Sequence, residues 1–329
     1  MAEPWCRHLT KNDQIACVAI CGGTHGDERN GAYLARNYCK IQGPAGSAHG
    51  FDFKLQVVES NPEAVKKNLR YIEQDLNRCF LSVDLENPEH TTLYEHRRAK
   101  EINALLGPKN SPTPAADYVL DLHNTTAATG VALFLHPRDT FSQGLAAYLK
   151  SIDSTVHIAL WANRDVMLLP SVGRSGMTVE VGPVSVKCLH AGLYKQTQAL
   201  LDVALRYMAA HNAARKRNSD GDGREWRQET LQCVQMIRAV PFPRGPDGDL
   251  SGMIHPAVDG KDFSPINISD PAFSMFDGSV ASVKDVVGSA DELPEVVVPF
   301  LVNEASYYEK DTAFLIGTLV EYSVDVLVV

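Results

Sequence analysis

Apolar and polar positions follow a repeating order over the first two-thirds of the chain. Short continuous apolar runs alternate with stripes at helical spacing. Gln14–Cys21, Phe53–Glu59, Tyr118–Leu122, Val156–Trp161 and Met177–Val181 have the length and residue types of strands. Between them, Asn30–Lys40 sets Tyr33, Leu34 and Tyr38 on one helical face. Leu93–Leu106 carries an Ile102–Leu105–Leu106 stripe with Arg97, Arg98, Lys100 and Glu101 off it, and Gly107-Pro108 ends it. Phe141–Ile152 and Leu189–Ala210 are two further helices. Asn61-Pro62 stops the second strand, because a residue before proline leaves the α region. Strands alternating with helices predict an α/β fold: a mixed, largely parallel sheet flanked by helices.

The pattern then changes. Ala213–Arg224 (AARKRNSDGDGR) is polar and charged, and reads as a linker. Beyond it, Val, Ile, Pro and Gly dominate. Short strand-like runs appear at Cys233–Val240, Glu295–Val302 and Leu319–Val328. The expected layout is an α/β domain over residues 1–212, a linker over 213–224 and a smaller β-rich domain over 225–329.

Composition adds limits. The 329 residues are 44% hydrophobic and 22% charged, ordinary globular values at a length that suits two domains. A net charge of −9 argues against nucleic acid as a main partner, since phosphate binding needs clustered Lys and Arg. The cysteines, Cys6, Cys17, Cys21, Cys39, Cys79, Cys188 and Cys233, are odd in number and form no Cys-x-x-Cys pair. Several sit in apolar runs, which suits a reduced, cytoplasmic protein. Met1–Lys11 has no apolar signal core, and no run approaches the roughly 18 apolar residues of a membrane span.

The candidate chemistry gathers at the ends of the apolar runs. Cys21-Gly22-Gly23-Thr24-His25-Gly26-Asp27-Glu28 follows the first strand and offers His25 and Glu28. His123 ends the run Val119–His123. Two histidines and one glutamate are the donor set of a catalytic zinc site that keeps a position open for water. The carboxyl ends of strands in an open α/β sheet are where such ligands collect. Taken alone, His25 and Glu28 read equally as a surface pair or a helix cap, and His123 as a core histidine. Glu180 lies in the apolar strand Met177–Val181, where an unpaired carboxylate is costly. It is either a general base or a carboxylate paired with an arginine. Arg70-Tyr71 and Asp75-Leu76-Asn77-Arg78 form a third cluster, able to grip a carboxylate or an oxyanion, or simply a solvated basic loop. Tyr307, in Asn303–Lys310, could close a pocket or pack between domains.

Together the segments GGTHGDE (22–28), NPEAVKKNLRYIEQDLNRCF (61–80), the 97–108 helix ending in LLGPK, LDLHNTT (120–126), EVGP (180–183), His255-Pro256 and FLVNEASYYEK (300–310) resemble the aspartoacylase/aminoacylase family of zinc amidohydrolases. That family is related to the zinc carboxypeptidases. The resemblance covers almost the whole chain. It implies a carboxypeptidase-like catalytic domain and a β-rich domain that narrows access to the site. It implies one zinc ion per subunit on His25, Glu28 and His123, and Glu180 as the catalytic base. Arg70 is then the residue at the scissile carbonyl, Asn77 and Arg78 hold the substrate's α-carboxylate, and Tyr307 contacts substrate.

The chain departs from aspartoacylase proper in one segment. That branch carries an arginine ten residues before the catalytic glutamate, for the substrate's side-chain carboxylate. Pro170 stands there here, with Val166 in place of a tyrosine and an apolar Met167–Leu169 between. This resembles the type III aminoacylase branch, which deacylates N-acyl-aromatic amino acids and N-acetylcysteine conjugates. Arg164 or Arg174 could restore the missing charge, which keeps N-acetylaspartate open as the alternative substrate. Asp27 replaces the family's usual asparagine beside the metal. A zinc carboxypeptidase and a non-catalytic binding protein are the remaining readings. The expected partner is a small N-acyl amino acid, and assembly into a homo-oligomer is left open.

Overall fold

The computed structural model describes residues 8–42, 50–161, 167–218, 226–288 and 293–329. The elements run β1 (Cys17–Gly22), α1 (Arg29–Gln42), β2 (Lys54–Glu59), α2 (Pro62–Lys67), α3 (Ser82–Glu86), α4 (Tyr94–Leu106), β3 (Tyr118–Asn124), β4 (Gly130–Leu135), α5 (Thr140–Ile152), β5 (His157–Leu160), β6 (Ser175–Gly182) and α6 (Ala191–Asn218). They continue as β7 (Trp226–Val240), β8 (Gly252–Ile254), β9 (Ile266–Asn267), β10 (Pro271–Met275), β11 (Val280–Ser282), α7 (Val283–Val287), β12 (Val296–Phe300) and β13 (Phe314–Leu327). Pro62 opens α2 after the Asn61 cap, where a missing N–H costs nothing.

A ten-stranded sheet of order β2-β1-β3-β6-β4-β5-β7-β13-β12-β9 spans both halves of the chain. β2, β1, β3 and β6 are parallel neighbours. β4 runs antiparallel to β6 and parallel to β5. In the first half β4 is the strand that the sequence pattern does not single out, although Val131–Leu135 is a continuous apolar run behind Gly130; in the second half the short strands β8 to β11 are likewise not singled out.

Alternate residues of β1 point to opposite faces, as strand geometry requires. Val18 and Ile20 join Leu34 and Tyr38 of α1, Leu145 of α5 and Leu201 of α6 in one core. Ala19 and Cys21 join Ile102 and Leu106 of α4 with Phe80 in another. The sheet is therefore covered on both faces by helices.

The boundary between the halves is less sharp than a linker would make it. α6 runs on through Asn218, so the start of the 213–224 segment is helical. Residues 219–224 lie outside the described residues. β7 then pairs with β5, and the long β7–β13 ribbon carries the first sheet into the second half. A separate core of Val240, Phe273, Val297 and Phe314 forms beneath the three-stranded sheet β11-β10-β8. Among the described residues no helix is long and apolar enough to cross a membrane. The six described cysteines are free thiols; Cys6 lies outside the described residues.

Candidate active site

In an open α/β sheet, the crevice forms where successive connections leave a strand in opposite directions. Here β2 lies on one side of β1 and β3 on the other, so the carboxyl ends of β1 and β3 bound that crevice. His25 and Glu28 follow β1, and His123 sits near the end of β3. The loop can reach the site only with small residues. Gly23 has φ +72°, and a Cβ on Gly26 would lie 2.1 Å from the Ala64 backbone of α2.

The three side chains are buried together. Their donor atoms all lie within 4.8 Å of one another. Glu28 sits between the rings, with Oε1 2.6 Å from His25 Nδ1 and Oε2 2.8 Å from His123 Nδ1. The opposite ring nitrogens face carboxylates: His25 Nε2 is 3.0 Å from Asp75 Oδ1, and His123 Nε2 is 2.7 Å from Asp121 Oδ2. A carboxylate at Nε2 can take the ring proton there, which would leave each Nδ1 its lone pair for a metal at the common centre. The two Nδ1 atoms are 3.2 Å apart. Two nitrogens bound at about 2.0–2.1 Å to one tetrahedral ion would stand about 3.3 Å apart. The donor set fits a metal ion.

Charge follows the same arrangement. Burial pushes Glu28 up, but the charges of His25 and His123 outweigh it and hold the carboxyl well below its ordinary range. Burial pushes His123 down, yet Asp121 and Glu28 raise it well above the usual imidazole value. Asp75 is likewise held low against burial by His25, with Lys310 and Arg78 helping.

Glu180 lies on β6, directly beside His123 across the parallel β3–β6 pair. Burial raises its pKa well above the usual carboxylate range; His123 opposes this, and Glu28 and Glu304 add to it. Among the described residues it has no arginine partner, so it does not form the ion pair that the sequence alone allowed. Arg70 Nη1 donates to Glu28 Oε1 at 2.9 Å, and Nη2 lies 3.1 Å from His25 Nε2. Asn77 and Arg78 come from a short 3-10 turn that Asp75 caps, its carboxylate accepting from Asn77 N at 3.0 Å. Asn77 Oδ1 is taken by Leu169 N at 3.0 Å, which aims the amide nitrogen inward. Tyr307 arrives from the other half, on a 3-10 turn over Ala305–Lys310. All eight residues expected from the sequence line one cavity of about 70 Å3, together with Phe134, Trp161, Leu168 and Lys310.

Four further carboxylates shape this site, and the sequence reading assigns a role to none of them. Asp121 and Asp75 orient the histidines. Asp121 carried a visible signal, being two residues before His123 and so on the same face of β3. Glu95, fully buried on α4, accepts from Asn61 Nδ2 and from the backbone N–H groups of Ile72, Glu73 and Gln74. It thereby shapes the loop that carries Arg70 and Asp75. Glu304 accepts from Thr125 Oγ1 and from Thr126 N at 2.7 Å, latching the β-rich half over the end of β3. Tyr71–Glu309 and Lys310–Asp75 bonds close the same seam, both 3.0 Å long.

The segment expected to set specificity reaches the cavity through one of its apolar residues. Pro170 is buried against Gly176, and Leu168 of the apolar Met167–Leu169 run supplies part of the apolar wall. Arg174 is ion-paired to Asp13 at 2.6 Å, beside the start of β6, the opposite end from Glu180. Arg164 and Val166 lie outside the described residues.

Comparison with known proteins places the chain in a family. The model of the succinylglutamate desuccinylase/aspartoacylase catalytic domain matches residues 14–208. The chain belongs to this family. The AstE/AspA barrel-sandwich hybrid domain matches residues 229–318. A relative from Nostoc named "Probable aspartoacylase" is 35% identical over 308 residues, 92% of this chain and 96% of the relative. The mouse N-acyl-aromatic-L-amino acid amidohydrolase (carboxylate-forming) is 34% identical over 315 residues, 94% of this chain and 92% of the relative. The crystal structure of murine aminoacylase 3 superposes with a TM-score of 0.84 at 32% identity, covering 96% of this chain and 99% of that one.

Proposed function

We propose that the protein is a zinc amidohydrolase that deacylates N-acyl amino acids, N-acyl-aromatic amino acids and N-acetylcysteine conjugates among them. The observation that carries this reading is the buried His25–Glu28–His123 group with Glu180 beside it on the wall of a small cavity. These three residues would hold one zinc ion per subunit, whose chemistry when bound is to polarise a carbonyl oxygen and lower the pKa of water.

The protein's own residues do the rest. Arg78 has no ion-pair partner among the described residues and is free to grip an α-carboxylate, with the Asn77 amide as a second donor. That clamp fixes the scissile amide beside Glu180 and Arg70. Glu180 takes a proton from the attacking water as the water oxygen bonds to the carbonyl carbon. It gives that proton to the amide nitrogen as the C–N bond breaks, leaving a carboxylate and a free amino acid. Its raised pKa suits a group that must both accept and return a proton. Arg70 uses one of its five N–H groups on Glu28 and keeps others for the oxyanion. Tyr307 contacts the bound substrate from the β-rich half.

Phe134, Trp161 and Leu168 give the cavity an apolar wall that favours an aromatic or apolar side chain. Lys310 on the same wall supports the second reading, N-acetylaspartate, but its ammonium is already bound to Asp75. The seam that Glu304, Glu309 and Lys310 close disfavours a peptide substrate. The free thiols support residence in the cytoplasm. The test is kcat/KM on N-acetyltyrosine against N-acetylaspartate. A preference for the aromatic substrate of at least about tenfold is expected. A preference for the acidic one would overturn the side-chain assignment.

A further inference from the structure

A second cavity, of about 180 Å3, also has Arg70 on its wall. It shares Glu28, Arg70, Asn124, Glu304 and Ser306 with the first cavity but none of the clamp: Asn77, Arg78, Glu180 and Tyr307 line only the first. At the junction, Asn124 is buried and its Nδ2 has no partner, and Ser306 Oγ is also unpartnered. Unmet buried donors of this kind mark a place where polar atoms of a ligand or water belong.

We propose that this second cavity receives the acyl chain of the substrate, and that it selects uncharged acyl groups well beyond acetyl. The inference rests on the amidohydrolase reading above. An amide is planar and trans, so its acyl carbon points away from the amino acid's Cα. With the α-carboxylate held by Asn77 and Arg78, which line only the first cavity, the acyl chain is directed away from that clamp, and the second cavity is the space that adjoins the first through Glu28, Arg70 and Asn124. A cavity of about 150 Å3 has room for benzene, so by volume this space accommodates a chain of roughly six carbons. Val184, Val186 and Ala305 supply its apolar surface. Asp27, Glu304 and Glu309 line it as well, and Arg70 is its one cation among the lining residues. A terminal carboxylate on the acyl chain would therefore meet acids, which excludes dicarboxylic acyl groups such as succinyl.

The experiment measures kcat/KM of the zinc-loaded full-length protein on N-acetyl-, N-hexanoyl- and N-succinyl-phenylalanine. The hexanoyl compound is expected within about threefold of the acetyl compound, and the succinyl compound at least about 100-fold below it. Val186→Trp and Ala305→Phe, both at exposed positions, fill the cavity from two sides. Each should lower the hexanoyl-to-acetyl ratio by about tenfold or more. Hexanoate should also raise the wild-type Tm more than acetate or succinate at equal concentration, a readout that needs no turnover. Good acetyl turnover with hexanoyl more than about 30-fold slower overturns the acyl cavity while leaving the amidohydrolase reading intact. An unchanged ratio in both variants does the same. Failure to hydrolyse any of the three, with no stabilisation by hexanoate, overturns both.

Discussion

Glu95 touches none of the reacting groups, yet its removal should cost both stability and activity. Its carboxylate is fully buried and accepts four hydrogen bonds, from Asn61 Nδ2 at 3.1 Å and from the N–H groups of Ile72, Glu73 and Gln74 at 2.7, 3.1 and 3.2 Å. In Glu95→Ala these donors lose their acceptor. Each buried unsatisfied donor costs about 1–3 kcal/mol, and partial relaxation and water entry bring the total to about 3–5 kcal/mol. At about 2 °C per kcal/mol for a chain of this size, Tm should fall by about 6–10 °C. The same loop carries Arg70 and Asp75, so kcat/KM should fall by at least about tenfold even at temperatures where the variant is fully folded. Glu95→Gln keeps the shape but sets an NH2 against backbone donors, and should lie between wild type and alanine. Thermal melts followed by circular dichroism, with kinetics run well below both midpoints, make the comparison. A Glu95→Ala protein with wild-type Tm and wild-type kcat/KM would refute this account of the loop.

Asp121→Asn keeps the size of the side chain but weakens the hold on His123 Nε2, and should loosen zinc by about 10–100-fold in a chelator competition. Asp262 is buried, and its carboxyl is pushed up to about 6 by burial, against the hydrogen bonds it accepts from the backbone. Between its unfolded value and about pH 6 the folded state holds the extra proton, so stability is lost as pH rises through that window. The loss above it is about 3 kcal/mol, and Asp262→Asn should abolish it, making the variant the more stable protein at pH 8 but not at pH 4. Equal urea midpoints for the two proteins at pH 8 would contradict this.

The parts legible in the sequence are those written locally. Periodicity located the strands and helices around the site, because burial on one face leaves its mark every second or every third to fourth residue. His25, Glu28 and His123 were legible because all three sit at strand ends. β4 was not, since its apolar run also suits a buried helix and only its pairing with β6 makes it a strand. The roles of Asp75, Glu95 and Glu304 depend on partners 50, 34 and 179 positions away along the chain, and no local pattern encodes such bonds. The apolar Met167–Leu169 segment was legible as a preference for apolar side chains, and Pro170 as a missing arginine. Folding turns Pro170 into the packing beneath and brings Leu168 to the cavity.

The central claim is that Glu180 moves the proton while His25, Glu28 and His123 hold the metal. Zinc content and turnover of N-acetyltyrosine, measured side by side on wild type and Glu180→Gln, test it most directly. The account predicts one zinc per chain in both proteins, with kcat lower in the variant by about 10²–10⁴-fold. A variant that keeps its zinc and turns over within a few-fold of wild type would contradict it, as would a fully active wild type that carries no metal.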